Sequence, residues 1–332
     1  MSDPFVFDHN RLFNEPTMEQ HGSHMIIKNV QKPEKTKYVT IDTCFRDQYD
    51  TSLLANYNIT LPERINSVKS MKVLSLEMPL TYHNVSSSLG NNSFQLKNSA
   101  TLAEEVIVVG DNFYPTSTFP TPLNSVFSAS GSGWISGGIT IAFDSTSGKM
   151  RLENSNAVDV QITFDTVECT GGTGPKGGLS KNESLMSKLG WLLGFRLPSY
   201  TIPKSGSITG EAIANFSGIP YFYLILDEFK NSNPHSFIGL SRTSQLSSQQ
   251  ILARITVDTS SFAIGIAGGV VTGGTGPQKM AVGHDDNMVS DTRTYGELVD
   301  IQKMNVRIVD QFGRIMNFNG LDFSFLLELK HE

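Results

Sequence analysis

The sequence predicts a mainly β protein, an antiparallel jelly-roll β-sandwich with an inserted small α+β module. Three observations carry that reading. Charged residues are only 17% of the 332, while Ser, Thr, Asn and Gly abound, as in a turn-rich β chain rather than a helical or disordered one. Apolar and polar residues alternate with period two in short runs near both ends of the chain. Between these runs the pattern changes and helix signals appear. Strands on either side of a self-contained stretch predict one interrupted sandwich, with about four strands from its N-terminal half and about six from its C-terminal half. The resulting division is an arm over residues 1–37, the first half of the sandwich over 38–96, the module over 97–208 and the second half over 209–332.

In chain order, residues 1–37 are polar with scattered aromatics, Phe5, Phe7 and Phe13, and no sustained period. They read as an arm, either disordered or ordered only against a partner. Gly22-Ser-His-Met25 is taken as native sequence. The first strand is expected at Tyr38-Val-Thr-Ile-Asp-Thr-Cys44. Asn56-Tyr-Asn-Ile-Thr-Leu61 alternates and is expected to stop at Pro62, which has no N–H for a ladder. Residues 67–78 predict a long strand with Val68, Leu74, Leu76 and Met78 on one face and Met71 and Val73 on the other. Asn91-Asn-Ser-Phe-Gln-Leu96 adds a turn and a short strand.

The module opens with a strand at Glu105-Val-Ile-Val-Val109 and a short helix around residues 122–127. A hairpin follows, its arms Ile139-Thr-Ile-Ala-Phe143 and Lys149-Met-Arg-Leu152 joined by a glycine-containing loop. Val158-Asp-Val-Gln-Ile-Thr-Phe164 alternates. Ser180-Lys-Asn-Glu183 is a capping-box signature, with Leu185, Met186, Leu189 and Leu193 at helical spacing behind it. After the module, Tyr221-Phe-Tyr-Leu-Ile-Leu226 is the unbroken apolar run of a strand covered on both faces. Ile251-Leu-Ala-Arg-Ile-Thr-Val257 and Phe262-Ala-Ile-Gly-Ile266 continue the β grammar. Residues 298–332 read as a three-stranded closing meander: Met304, Val306 and Ile308 alternate, Asn319-Gly320 is a hairpin signal, and Phe323, Phe325, Leu327 and Leu329 share one face. Phe323, Phe325 and Leu327 are the expected core that closes the sandwich on the strands of residues 38–96.

A net charge of −6, a pI near 5.7 and the absence of any basic run argue against nucleic acid as a partner, which needs clustered Lys and Arg to replace counterions. The longest mild apolar stretch, residues 262–271, is too short to span a bilayer. No secretory signal is read at the N-terminus. Cys44 and Cys169 lack metal spacing and are expected as buried free thiols.

The hexapeptide Thr-Gly-Gly-Thr-Gly-Pro occurs at residues 170–175 and 272–277. A phosphate cradle would need Lys-Ser/Thr after the last glycine, and here proline removes an amide, so surface loops are expected. His284-Asp-Asp286 is the sole local metal-like cluster, and adjacent loop residues seldom converge on one ion. Asp227-Glu228 reads as a solvated strand end, and Asp42 and Arg46 as a pair. No catalytic residue, cofactor or metal is assigned.

Several stretches, in order, resemble capsid proteins of nucleocytoplasmic large DNA viruses. Ile41-Asp-Thr-Cys-Phe-Arg46 is similar to their Ile-Asp-Ser-x-x-Arg opening. Residues 68–79, then Tyr82-His-Asn-Val85 and Asn91-Asn92, resemble their block of strand, Glu-x-Pro, Tyr-x-Ile and Asn-Asn. Gly110-Asp-Asn-Phe-Tyr114 departs from their Pro-x-Gly-Asn-Tyr element. Leu189-Gly-Trp-Leu-Leu-Gly-Phe-Arg196, residues 221–227, Phe312-Gly-Arg314 and Asn319-Gly-Leu-Asp-Phe-Ser-Phe325 complete the pattern over residues 38–329.

The resemblance implies a penton or minor capsid protein on a single jelly roll with an inserted domain, without cofactor or catalytic residue. It implies a place in the virion, assembly in the host cytoplasm, and other capsid proteins as partners: the major capsid protein, neighbouring minor capsid proteins, or four more copies of itself in a homopentamer. The arm residues Phe5, Phe7 and Phe13 are the expected interface anchors. The alternative is a receptor- or glycan-binding jelly-roll module of a virion fibre or vertex, using loop aromatics such as Trp134, Tyr200 and Tyr295. A cupin-type enzyme would need histidines on facing strands, and the strands read here carry none.

Overall fold

The computed structural model describes residues 17–21, 24–28, 33–165, 185–229, 250–257, 265–267, 270–272, 279–283, 288–290 and 292–332. The N-terminal part forms strands β1 (Thr17–His21), β2 (His24–Lys28), β3 (Lys35–Asp42), β4 (Asn56–Pro79) and β5 (Ser93–Asn98). The middle adds β6 (Glu104–Val108), α1 (Pro120–Ala129), α2 (Gly133–Ser136), β7 (Ile139–Asp144), β8 (Lys149–Asn154), β9 (Val160–Thr163), α3 (Leu189–Leu192), β10 (Ser199–Ile202) and β11 (Gly206–Thr209). The C-terminal part adds β12 (Tyr221–Asp227), β13 (Ile251–Thr256), β14 (Gly265–Ala267), β15 (Val270–Thr272), β16 (Lys279–Gly283), β17 (Met288–Ser290), β18 (Arg293–Asp310) and β19 (Ser324–His331). The class is the predicted one: mainly β, with curled antiparallel sheets.

The large sheet runs β17-β13-β12-β18-β4-β19-β3, with β16 also paired to β4, and all its ladders are antiparallel. Six of its strands, β12, β13, β16, β17, β18 and β19, come from the C-terminal half, and only β3 and β4 from the N-terminal half, where about four were expected. The predicted closing meander is corrected. β18 and β19 do not pair with each other; β4 lies between them, and β19 is in turn clasped by β3. The terminal strand therefore depends on partners some 250 residues earlier in sequence, as the register Leu327↔Val73 and Leu327↔Val39 records.

β4 is one 24-residue strand rather than two stopped at Pro62. Its ladder with β18 jumps from Thr60↔Lys303 to Ile65↔Ile301, so Pro62 falls in a bulge where no ladder hydrogen bond is asked of it. Asp300 clamps this corner, accepting from the Ser67 amide at 2.9 Å and from Arg64 Nη2 at 2.6 Å. Ser67 has φ +56, the turn that bends the strand around the core. Two more irregularities, where Lys69 and Leu74 have no partner on β19, reset which side chains point inward. Val68, Met71, Val73, Leu76 and Met78 are all buried in the main core while Leu74 is only half-buried, so residues predicted on two faces form one inward row and Leu74 leaves the face predicted for it.

The main core gathers side chains from β3, β4, β12, β13, β18 and β19, including Phe323, Phe325 and Leu327, each at most 2% exposed. An aromatic chain runs through it: Tyr57 to Phe323, Phe323 to Phe318, Phe318 to Phe222 and Phe222 to Tyr82, with ring centroids 5.4–6.3 Å apart and edge-on geometry. β12 is buried on both faces, with Tyr223 and Ile225 in a separate small cluster with Ile251 and Val309.

The module has its own core between a sheet β10-β9-β5-β6 and a sheet β11-β8-β7, covered by α1. β5 pairs inside it, and Val85, Phe94, Leu96, Ala214 and Phe216 belong to its core although they lie outside residues 97–208. The helix predicted behind Ser180–Glu183 is shorter than its spacing suggests. Residues 180–183 lie outside the described residues. After them Leu185–Ser187 is a 3-10 turn, Lys188 is extended, and α3 has four residues. Gly194, at φ +94, ends it, and Gly190 sits where a Cβ would fall 2.3 Å from Phe164 Cγ.

Candidate interaction surfaces and joints

The motif around residue 42 builds a rigid end loop. Asp42 caps the 3-10 turn Thr43–Phe45, its Oδ1 accepting from the Cys44 amide at 2.9 Å. It does not pair with Arg46 as expected. The nearly buried Arg46 guanidinium donates to Thr43 O (2.9 Å), Tyr49 O (3.0 Å) and Ser52 Oγ (3.0 Å), reaches Asp322 at 3.4 Å, and lies 4.0 Å over the Tyr49 ring. Asp47 accepts from both the amide and the hydroxyl of Thr60. The loop so held displays Phe45 (77% exposed), Tyr49 and Leu53 to solvent. Cys44 is exposed on it, against the expectation of a buried thiol; the hydrogen bond to Asp42 holds its pKa above the ordinary value. Cys169 lies outside the described residues.

A second set of polar residues gathers where module and sandwich meet. Asn84 is buried and donates to Tyr114 O and Phe216 O, while its Oδ1 accepts from the Tyr114 amide. Asn91 accepts from Ser86 N and donates to Asn84 O, and Asn92 donates to Val109 O. Asp111 accepts from Ser87 N, Ser87 Oγ and Ser86 Oγ. Burial works against its charge, but these bonds outweigh it, so its pKa is lowered. From the sandwich, Arg314 donates to Leu89 O at 2.6 Å while paired with the fully buried Asp310. Asn319, at φ +53 before Gly320 at +80, donates to Thr81 O and lies 3.0 Å from His83 Nε2. The Asn319-Gly320 turn thus exists, but it serves this joint and not a hairpin. Beside it a hollow lined by Tyr82, His83, Leu89, Met316 and Asn319 measures about 10 Å³, no more than one water requires.

Glu228 is a buried ion-pair member, not a solvated strand end: Arg293 Nη1 reaches Glu228 Oε2 at 2.7 Å, with both side chains at most 5% exposed. Asp227 instead accepts from the Phe229 amide. The loop aromatics weighed for glycan binding are not presented as a platform. Tyr295 is buried, Trp134 packs against the module core, and Tyr200 is held by Glu211 at 2.7 Å. Phe5, Phe7, Phe13, His284-Asp-Asp286 and the hexapeptide of residues 170–175 lie outside the described residues; of the copy at 272–277 only the backbone of Thr272 is described. Among the described residues no group of His, Cys, Asp or Glu is placed to hold a metal ion, and no helix is long and apolar enough to cross a membrane.

The joints formed by Arg46, Asn84 and Arg314 were not legible as such. Their signal in the sequence is the presence of Arg and Asn in the loops, but the partners Asp322, Phe216 and Leu89 are distant in the chain.

No family model and no curated protein matches this chain. Among solved structures it is similar to the crystal structure of the mavirus penton protein, at 10% identity over 91% of this chain and 100% of that one, with a TM-score of 0.40. It is also similar to a chain in the cryo-EM structure of the Sputnik virophage, at 14% identity over 90% of this chain and 98% of that one, with a TM-score of 0.36.

Proposed function

We propose that this chain is a structural subunit of an icosahedral large DNA virus capsid, a penton or minor capsid protein contributing to shell assembly and stability. The observation that carries the reading is where the residues of the capsid-like pattern sit. Arg46 reaches from its end loop to Asp322, and Arg314 and Asn319 bond the carbonyls of Leu89 and Thr81 across more than two hundred residues, while Asp42 and Asn91 close turns and Asn92 holds Val109 nearby. The pattern is therefore one of joints, which suits a subunit whose work is to hold a shape. Its neighbours would be the major capsid protein and adjacent minor capsid proteins, with Phe5, Phe7 and Phe13 as arm anchors and the virion as its location. Many shallow contacts, multiplied over a lattice, supply avidity without a deep site.

The test is a reconstruction of the virion with this chain placed by cross-linking mass spectrometry. Density in the shell is expected, and placement away from the shell would overturn the reading. A closed ring of five copies would assign it to the vertex; a monomer or dimer beneath the shell would assign it to a minor position.

A further inference from the structure

The fold guards one sheet edge and leaves another open. On β7 of the module, the Asn124 side chain imitates a neighbouring strand, accepting from Ile141 N at 2.9 Å and donating to Ile141 O at 2.8 Å. Nothing comparable covers β3 among the described residues. β3 is the last strand of the large sheet, and its ladder with β19 runs through eight pairs without a bulge. It has no proline, and of its two lysines Lys37 is bonded to Glu63 while Lys35, which is exposed, stands at the strand's first position. Thr43 N donates to Phe323 O in the same register, so residues 41, 39 and 37 face β19 with their amides and carbonyls. By the same alternation Thr36, Tyr38 and Thr40 turn theirs outward, and Tyr38 is 62% exposed.

The chain also carries a strand pair in need of a sheet. β1 and β2 pair only with each other among the described residues, in the register Met18↔Ile27 and Gln20↔Met25. By this register positions 18, 20, 25 and 27 fall on one face of the ribbon. A lone two-stranded ribbon is marginal in water and gains stability from a third strand. Its own β3 follows after only residues 29–34, yet β2 does not pair with it, and Pro33 stiffens the connection.

We propose that the β1–β2 hairpin of one copy adds to the free edge of β3 in a second copy, an exchange of strands that links neighbouring subunits. Main-chain hydrogen bonds from the outward amides and carbonyls of Thr36, Tyr38 and Thr40 would hold the added strand. Because donor and acceptor surfaces differ, the exchange closes either reciprocally between two copies or around a larger ring. The inference does not rest on the capsid reading, since it is decided on the purified chain alone.

Two variants test it. Thr40→Pro removes an outward amide, so β3 keeps its ladder with β19 but cannot accept a strand. Deleting residues 1–28 removes the donor and leaves the acceptor. By sedimentation velocity the full chain is expected to form a closed oligomer, and each variant alone a folded monomer with unchanged near-UV circular dichroism. Mixed together, the two should form a 1:1 heterodimer, because one retains the hairpin and the other the open edge. A monomeric full chain, variants that assemble like the full chain, or a mixture that stays monomeric would each overturn the proposal. An unfolded Thr40→Pro protein would be replaced by Thr36→Pro in the same mixture, with the same two outcomes.

Discussion

Arg46 illustrates how one side chain decides a local structure. It has no partner close in sequence of opposite charge that it uses; it satisfies two loop carbonyls and one hydroxyl and reaches across to Asp322. Arg46→Ala leaves those acceptors without their donor inside the loop, and we expect a loss of about 2–4 kcal/mol in urea denaturation. Arg46→Lys should recover little of it, because an ammonium cannot reproduce the planar fork. His83 gives a second expectation. Burial lowers its pKa below the ordinary value, against the opposing pull of Asp111, and Nε2 faces the Asn319 amide, which suits a neutral ring accepting a hydrogen bond. A folded pKa below the unfolded one means that the unfolded chain binds the proton more readily. The contribution of His83 is then fully present above about pH 6.5 and is lost as pH falls through the folded value. Denaturation midpoints measured from pH 7.5 downward should show this decline, and His83→Gln should flatten it.

At the scale of elements, alternation located most strands, because a half-buried strand must alternate whatever its partners. The hairpin joining β7 and β8 and the doubly covered β12 were legible for the same local reason. What alternation could not give was the inward face of β4. The irregularities at Lys69 and Leu74 arise from the ladder with β19, hundreds of residues away, and each one reverses the parity of everything beyond it. Pro62 misled for the same reason, since a proline stops a paired strand but not a bulged one. The joints of the candidate surfaces were hidden too, because Arg314 to Leu89 and Asn84 to Phe216 are long-range bonds that no spacing encodes. The Asn124 side chain on the β7 edge makes a prediction of its own. Asn124→Ala should cost about 1–2 kcal/mol for two lost hydrogen bonds and speed hydrogen exchange at the Ile141 amide selectively. Equal acceleration across the module would instead mean that α1 itself had been loosened.

For the whole molecule, the question is whether it is one cooperative unit or two. The module has a separate core, and its entry and exit meet where Gly218 lies beside the Tyr82 ring, so a linker could replace residues 85–217. We propose that boundary in place of 97–208, because Val85, Phe94 and Phe216 pack within the module. The sandwich is expected to survive that excision, but not loss of its last strand. A chain ending at Asn319 lacks Phe323, Phe325, Leu327 and Leu329, all buried, and lacks the partner that β3 has on its paired side. At about 1.5–3 kcal/mol for each buried side chain, the loss is on the order of 6–12 kcal/mol, comparable to the whole stability of an ordinary domain. The ladder adds to it, because β4 loses its neighbour along residues 68–77 while β3 is left unpaired. The truncated chain should therefore lack near-UV circular dichroism and a cooperative melt, whereas the chain with residues 85–217 excised should keep both. A soluble, cooperatively melting protein ending at Asn319 would mean that β19 trims an edge and that the sandwich closes through β18 and β4 alone.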